Sequence, residues 1–279
     1  MSDNGVFNTF STNRGTFGTK EFLESNSLVA KFAFVLLVLF AFVVLLRIGI
    51  YAVSYFVKPS TSPRLITGTV DAGQMIIFPQ DPSNNSAVTI YRSVNAEDGL
   101  EFTWSTWIFI NNLETKSGMF KHIFSKGNSN IGKTGMIEPN NAPGLYIAPN
   151  TNALVVVMNT YNVINEEIEI PDIPLNKWVN VVIRCQNTNV DVYINGTIAR
   201  SVNLMGVPKQ NYGDVYVGMN GGFDGYISNL WYFDYALATT EIQNLVNKGP
   251  NTKMIGGNGI NDKVYDYLSL RWFFYGSGN

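Results

Sequence analysis

Between Phe32 and Leu46 fifteen apolar residues run without a break, and after Arg47 the run resumes to Val57. No other stretch limits so strongly what this chain can become. The hydrocarbon core of a bilayer takes about 20 apolar residues of helix. Residues 32–57 number 26, about 39 Å of helix at 1.5 Å per residue. Helix is required, because lipid offers no partner to open backbone N–H and C=O groups. The alternative is a buried helix of a soluble fold. With Arg47 as its single charge, this stretch has no polar face to turn toward water. The expected anchor runs from Lys31 and Phe32, through Leu46 and Arg47, to Val57 and Lys58. Arg47 snorkels to the interface, and Tyr51, Tyr55 and Phe56 supply an aromatic belt.

The apolar run starts near residue 28 behind a polar leader, and no small-residue cleavage site follows it. It therefore reads as a retained anchor rather than a signal peptide. Ser2 stands where N-myristoylation needs glycine, and the ending YGSGN lacks a prenylation cysteine. Arg14, Lys20 and Lys31 flank one end; Arg47, Lys58 and Arg64 flank the other. The positive-inside count is equal on the two sides and leaves orientation open.

The 222 residues after Val57 are enough for one sizeable core. The formal charge of −2 and the absence of a basic block argue against a nucleic-acid partner. With Cys185 alone, no intrachain disulfide forms. In WVNVVIRCQ it falls in phase with Val181 and Ile183, as a small core hydrophobe would. His122 is the only histidine, so a Ser-His-Asp triad or a histidine-rich zinc site has almost nothing to build from. Its setting in MFKHIFSK reads as strand.

Residues 1–27, rich in Asn, Ser, Thr and Gly, read as a polar tail. KPSTSPR at 58–64 reads as a stiff linker. Beyond it come short β-type runs separated by Asn, Gly and Pro. They include LITGTV, QMIIF, AVTIYR, LEFTWSTWIFI, FKHIFSK, ALVVVMN, EEIEI, WVNVVIRCQ and GYISNLWYF. Many short strands at close spacing predict an all-β, antiparallel β-sandwich or barrel. VDVYI, Asn195-Gly196 and TIARSV spell a hairpin, since both central positions of a type I′ turn need φ > 0. One helix is expected in this region, Thr239 to Val246, capped by Thr239 or Thr240. The ending LSLRWFFY reads as a final strand or a packed aromatic plug, with a membrane-dipping tip as the alternative.

FTWSTWIFI (102–110), HIFSKGN (122–128), PGLYI (143–147), LNKWVNVVI (175–183), VDVYINGTIA (190–199) and GYISNLWYFDYALATTEIQNL (225–245) follow one another in order. Together they resemble the laminin-G-like, concanavalin A-like jelly roll. Trp178 matches the tryptophan that opens the strand before that family's Y-x-N-G hairpin, and Tyr193, Asn195 and Gly196 match the hairpin. Gly225, Ile227, Leu230, Phe233, Leu237, Glu241 and Ile242 match its G-x-I-x-x-L run, in which Trp231 also falls. The expected organisation is a tail (1–27), a transmembrane helix (28–57), a linker with leading strands (58–84), the sandwich (85–247), and a C-terminal extension packing on it (248–279). A membrane anchor ahead of an Asn-rich domain containing PQDPSNNS and EDGLEFTWSTWIFI is also similar to proteins of large nucleocytoplasmic DNA viruses. That resemblance implies a virion or membrane-associated structural role.

Several motifs have a chemical reading and a plainer one. Gly127 to Thr134 fits the P-loop pattern, but Gly135, Pro139 and Pro143 leave no room for the helix a phosphate needs, so a surface loop is expected. Glu167, Glu169 and Asp172 loosely echo the paired acids of some glucanases in the resembled family. Their order is wrong, and Ile168 and Ile170 alternate with them as on any half-exposed strand. Calcium is the other chemistry the resemblance implies. Asp214, Asp224 and Asp234 are the candidate ligands, although such residues usually serve turns. Asn84 and Asn195 head N-glycosylation sequons. Trp104, Trp107, Trp178, Trp231 and Trp272 read mainly as core rather than as a sugar platform. The expectation is a non-enzymatic, membrane-anchored structural or interaction protein, most simply a minor virion component linking bilayer and protein shell. Its partners would be the lipid bilayer and coat proteins, with no cofactor. A carbohydrate-binding module and a glycoside hydrolase are the alternatives.

Overall fold

The computed structural model describes residues 28–57, 60–84, 86–93, 95–97 and 99–255. The polar tail, Lys58, Trp272 and the LSLRWFFY segment lie outside the described residues. The helix and the β-rich remainder are separate units.

Helix α1 spans Leu28–Val57. Its 30 residues make about 45 Å of helix. Large apolar side chains such as Phe34, Leu39, Phe42, Leu45 and Ile48 stand exposed around it. Among the described residues it is the one helix long and apolar enough to cross a membrane.

The remainder is an antiparallel β-sandwich. In chain order its strands are β1 (Thr69–Asp71), β2 (Ile76–Phe78), β3 (Asn95–Ala96), β4 (Gly99–Ile110), β5 (Lys121–Gly127), β6 (Asn130–Ile131), β7 (Ile137–Glu138), β8 (Asn141–Ile147), β9 (Leu154–Met158), β10 (Glu166–Ile170), β11 (Trp178–Gln186), β12 (Asn189–Ile194), β13 (Thr197–Asn203), β14 (Asp214–Val217) and β15 (Gly225–Phe233). Helix α2 (Thr239–Lys248) follows. The first sheet runs β1-β15-β4-β11-β12-β13, with β3 paired to the start of β4. The second runs β10-β9-β8-β5-β14-β2, and β6 and β7 form a small hairpin.

Alternation of side chains along the strands explains the core. Phe102, Trp104, Ile108 and Ile110 of β4, and Val179, Val181, Ile183 and Cys185 of β11, point inward from the first sheet. Phe124, Leu145, Leu154, Val156 and Ile168 meet them from the second. Trp104 stacks on Phe124 at 5.2 Å between centroids and touches Tyr232 at 5.0 Å, so one indole ties the two sheets together.

The outer faces are covered too. Helix α2 lays Ile242 and Leu245 over Val182, Tyr193 and Phe233 of the first sheet. The segment around Met136 and Ile137 covers Tyr146, Val155 and Val157 of the second. The helix runs two residues past the expected Val246. Its N-cap is Ala238 rather than a threonine, and Glu241 accepts the Ala238 N–H at 2.8 Å, the carboxylate half of a capping box.

AVTIYR, expected as a strand, is not one. A side chain takes the place of a ladder partner there: Gln80 accepts the Ile90 N–H at 2.8 Å and donates to the Val88 carbonyl at 2.9 Å. The Asn195-Gly196 hairpin forms as expected, with φ of 50° and 81°.

Candidate functional site

A one-residue irregularity in β15 builds the principal site. Ile227 and Leu230 both belong to the core although they stand three positions apart, an odd spacing. Strict alternation forbids that, so the pairing with β4 shifts between Ser228 and Trp231. The extra residue is absorbed at Asn229, which takes φ 53°, a conformation asparagine tolerates. The bulge turns Trp231 onto the outer face, where it packs with the cluster under α2.

There the first sheet carries a groove of about 170 Å³. Ser105 and Trp107 of β4 and Trp231 of β15 line it from the sheet, and Leu245 and Lys248 from α2. Gly249 to Asn251, just past the helix, and Arg64 and Thr67, just before β1, complete it. These flanking segments are fastened down. Ser228 Oγ donates to the Asn251 carbonyl at 2.9 Å, and the Asn251 side-chain amide donates to the Thr67 carbonyl at 2.5 Å. Trp231 Nε1 donates to the Ser62 carbonyl at 2.8 Å. The Arg64 guanidinium lies over the Trp231 ring at 3.9 Å. Two cations and no carboxylate line the groove. Two indole rings, side-chain amides and a buried hydroxyl meet in one concavity, with Arg64 over the Trp231 ring and Trp107 buried, a lining that suits a small polar ligand.

A second feature lies at one end of the sandwich. The loop 159–165 between β9 and β10 meets the loop 204–213 between β13 and β14. Tyr161 N–H donates to the Val207 carbonyl at 3.1 Å, and the Asn162 side chain donates to the Met205 carbonyl at 2.5 Å. The two loops hold each other rigidly while presenting large side chains to solvent. Tyr161, Ile164, Met205 and Tyr212 are 71%, 58%, 73% and 77% exposed. Lys209 lies over the Tyr161 ring at 5.4 Å and Arg92 over the Tyr212 ring at 5.1 Å. Glu166 is the carboxylate here, and it accepts the Met205 N–H at 2.9 Å.

The sequence-predicted candidates fall elsewhere. Asp214 begins β14 and accepts the Gln80 N–H at 2.8 Å. Asp224 precedes β15 and accepts from the side chains of Asn111 and Asn112. Asp234 follows β15. The structure does not gather them, and no group of three or more His, Cys, Asp or Glu fit for a metal exists among the described residues. Asp214 and Asp224 instead hold distant segments in place. Glu167 and Glu169 are exposed on β10, an edge strand, while Ile168 and Ile170 face inward. They line no cleft. Lys133 is exposed in the loop between β6 and β7, and no helix follows it.

His122 and Ser125 stand 2.9 Å apart, a contact that resembles a nucleophile and its base. Its polarity is wrong for that role. The Met219 N–H donates to His122 Nδ1 at 3.1 Å, so Nε2 carries the proton and donates to Ser125 Oγ. Complete burial pushes the imidazole pKa down to about 3, keeping the ring neutral. Cys185 is buried, and desolvation pushes its thiol up to about 12, away from a reactive thiolate.

Of the signature residues, Trp178 packs edge-on to Phe109 at 5.5 Å, and Asn195 Oδ1 accepts the Asn180 N–H at 2.9 Å. Asn84 is exposed. The groove residues Arg64, Ser105, Asn229 and Asn251 were not legible as a site, because strands and loops far apart in sequence contribute them. The loop aromatics left a signal: Tyr161 stands in the Asn-rich stretch 159–165, and Met205 and Tyr212 in the Gly- and Pro-containing stretch 204–213, where turns rather than core strands are expected.

A family model described as the concanavalin A-like lectin/glucanases superfamily matches residues 81–243. No curated protein matches the chain. Among solved structures, the binding domain of botulinum neurotoxin DC, in complex with rat synaptotagmin II, is 21% identical, with 53% of this chain and 36% of that one covered and a TM-score of 0.42. The receptor binding domain of botulinum neurotoxin D is 17% identical, with 68% and 44% covered and a TM-score of 0.47. This chain spans less than half the length of each.

Proposed function

Since the chain belongs to the concanavalin A-like lectin/glucanases superfamily, we propose that it is a membrane-anchored, non-catalytic recognition module that binds carbohydrate in the groove beside Trp231. The observation that carries this reading is the groove's composition. Two indoles, two asparagines, a buried serine and two cations converge there on a rigid sheet. Pyranose rings have a polar rim, which the amides, the serine and the cations answer, and apolar C–H groups, which the indole rings meet. Helix α1 would hold the module at a bilayer. Catalysis is left out of the reading because His122 is a buried hydrogen-bond donor to Ser125 and the paired glutamates sit on an open edge strand.

The test is a glycan array probed with the full chain in lipid nanodiscs, alongside Thr67→Trp, which fills the groove from an exposed position. Binding by the native chain that Thr67→Trp abolishes is the expected result. Binding that survives the filled groove would move the site elsewhere, and no binding would remove the carbohydrate reading.

One observation favours a second reading, a structural link between a bilayer and a protein shell in a virion. Strand β13 is a sheet edge with one ladder partner; Thr197, Ile198 and Ser201 on it are exposed, while Arg200 donates to the Glu169 carbonyl of β10 at 3.1 Å. An open edge can accept a strand from another chain. Crosslinking in the native membrane or particle, with links to coat protein clustering at residues 197–203, would support it; links scattered over the surface would count against it.

A further inference from the structure

The rim made by loops 159–165 and 204–213 takes no part in the groove, and its composition calls for an occupant. Monomer surfaces seldom display clustered large apolar side chains without a role. Here Tyr161 and Ile164 of one loop and Met205 and Tyr212 of the other are exposed, while Lys209 and Arg92 lie against the two tyrosine rings. Tyrosine and aliphatic side chains beside Lys and Arg are the chemistry of the membrane interface, where amphipathic rings sit at headgroup level and cations meet anionic lipid.

The path of the chain points the same way. The carbonyls of Ser62 and Pro63 accept from Trp231 Nε1 and Tyr232 N–H, so the polypeptide is fixed to the sandwich from residue 62 onward. The Tyr232 hydroxyl donates to the Tyr91 carbonyl at 2.9 Å, next to Arg92. Tyr232 thus contacts both the entering segment and the segment that carries Arg92. Residues 58–61 are all that separate Val57 from Ser62, a covalent reach of about 17 Å. A short tether keeps a weak surface contact at high effective concentration.

We propose that this rim is a bilayer-contact surface, with Tyr161, Ile164, Met205 and Tyr212 entering the headgroup–acyl boundary and Arg92 and Lys209 facing anionic headgroups. The proposal rests on α1 being a membrane anchor, and its test separates the two. Met205→Cys and Met75→Cys, both at exposed positions, would each be labelled with an environment-sensitive fluorophore; Cys185 is buried and stays unlabelled. Met75 lies in the turn between β1 and β2, away from the rim. The labelled full chains would be placed in nanodiscs containing phosphatidylserine and doxyl-labelled lipid. Co-elution with the disc tests the anchor. Lipid quenching about twofold or more stronger at 205 than at 75 is the expected result, falling when phosphatidylserine is omitted or when Arg92→Glu and Lys209→Glu are introduced. Equal quenching at the two positions overturns the proposal. So does a probe at 205 that is shielded from an aqueous quencher without being quenched by lipid; that outcome assigns the rim to a protein partner, or to a second copy if shielding grows with chains per disc.

Discussion

The guanidinium of Arg64 lies 3.9 Å above the ring of Trp231, whose indole N–H donates to the Ser62 carbonyl. The segment leading into the sandwich is therefore held against the tryptophan that lines the groove. Removing the cation with Arg64→Ala should cost about 0.5–1 kcal/mol of stability, the usual size of a partly exposed cation–π contact. Urea denaturation of the sandwich would measure it. Glycan affinity should fall by more than stability does, because Arg64 also lines the site. A variant with native affinity would separate the stacked pair from recognition.

His122 predicts how stability depends on pH. Its folded pKa is depressed to about 3 by burial, so between that value and the unfolded pKa of about 6.5 the unfolded chain binds the extra proton. The contribution is fully present above about pH 6.5 and is lost as pH falls, at about 1.4 kcal/mol per pH unit. His122→Gln removes the titration. The difference between native and variant denaturation free energies should slope below pH 6.5 and be flat above it. A flat difference at every pH would contradict a buried neutral ring.

Two signature glycines should respond differently to alanine. At Gly225 a Cβ would stand 1.9 Å from the Phe109 carbonyl oxygen, and backbone cannot yield as a side-chain tip can. Gly225→Ala should cost about 3 kcal/mol or more. At Gly196, φ is 81° and the near atom is the Gln243 amide, the end of a flexible side chain. Gly196→Ala should cost about 1–3 kcal/mol, from backbone strain alone. Equal losses would show that the close approach at Gly225 is relieved by movement of β4.

The features legible in the sequence were those set by local periodicity. Alternation placed Val181, Ile183 and Cys185 on one inward face, and Asn195-Gly196 specified its turn without help from the rest of the chain. AVTIYR misled because its backbone partner is the Gln80 side chain, which no periodicity reveals. The groove depends on a register shift at Asn229 and on Asn251 fastening to Ser228 and Thr67, contacts between distant segments. Asp214, Asp224 and Asp234 looked like ligands because residue type was visible while separation in space was not.

Glu167 and Glu169 test the non-catalytic reading from another side. Both are exposed on β10, an edge strand. Glu167→Gln with Glu169→Gln should change stability by less than about 0.5 kcal/mol and leave glycan binding intact. Loss of binding in that double variant would bring the edge strand into the site.

The most direct test of recognition in the groove is a spectrum of the tryptophan indole N–H groups, recorded on the full chain in nanodiscs as an array-selected glycan is titrated in. Trp231 and Trp107 line the groove, whereas Trp104 is buried between the sheets. The expected result is a saturable shift of the Trp231 and Trp107 signals with Trp104 unmoved. Unmoved Trp231 and Trp107 signals at glycan concentrations that saturate the array would contradict it.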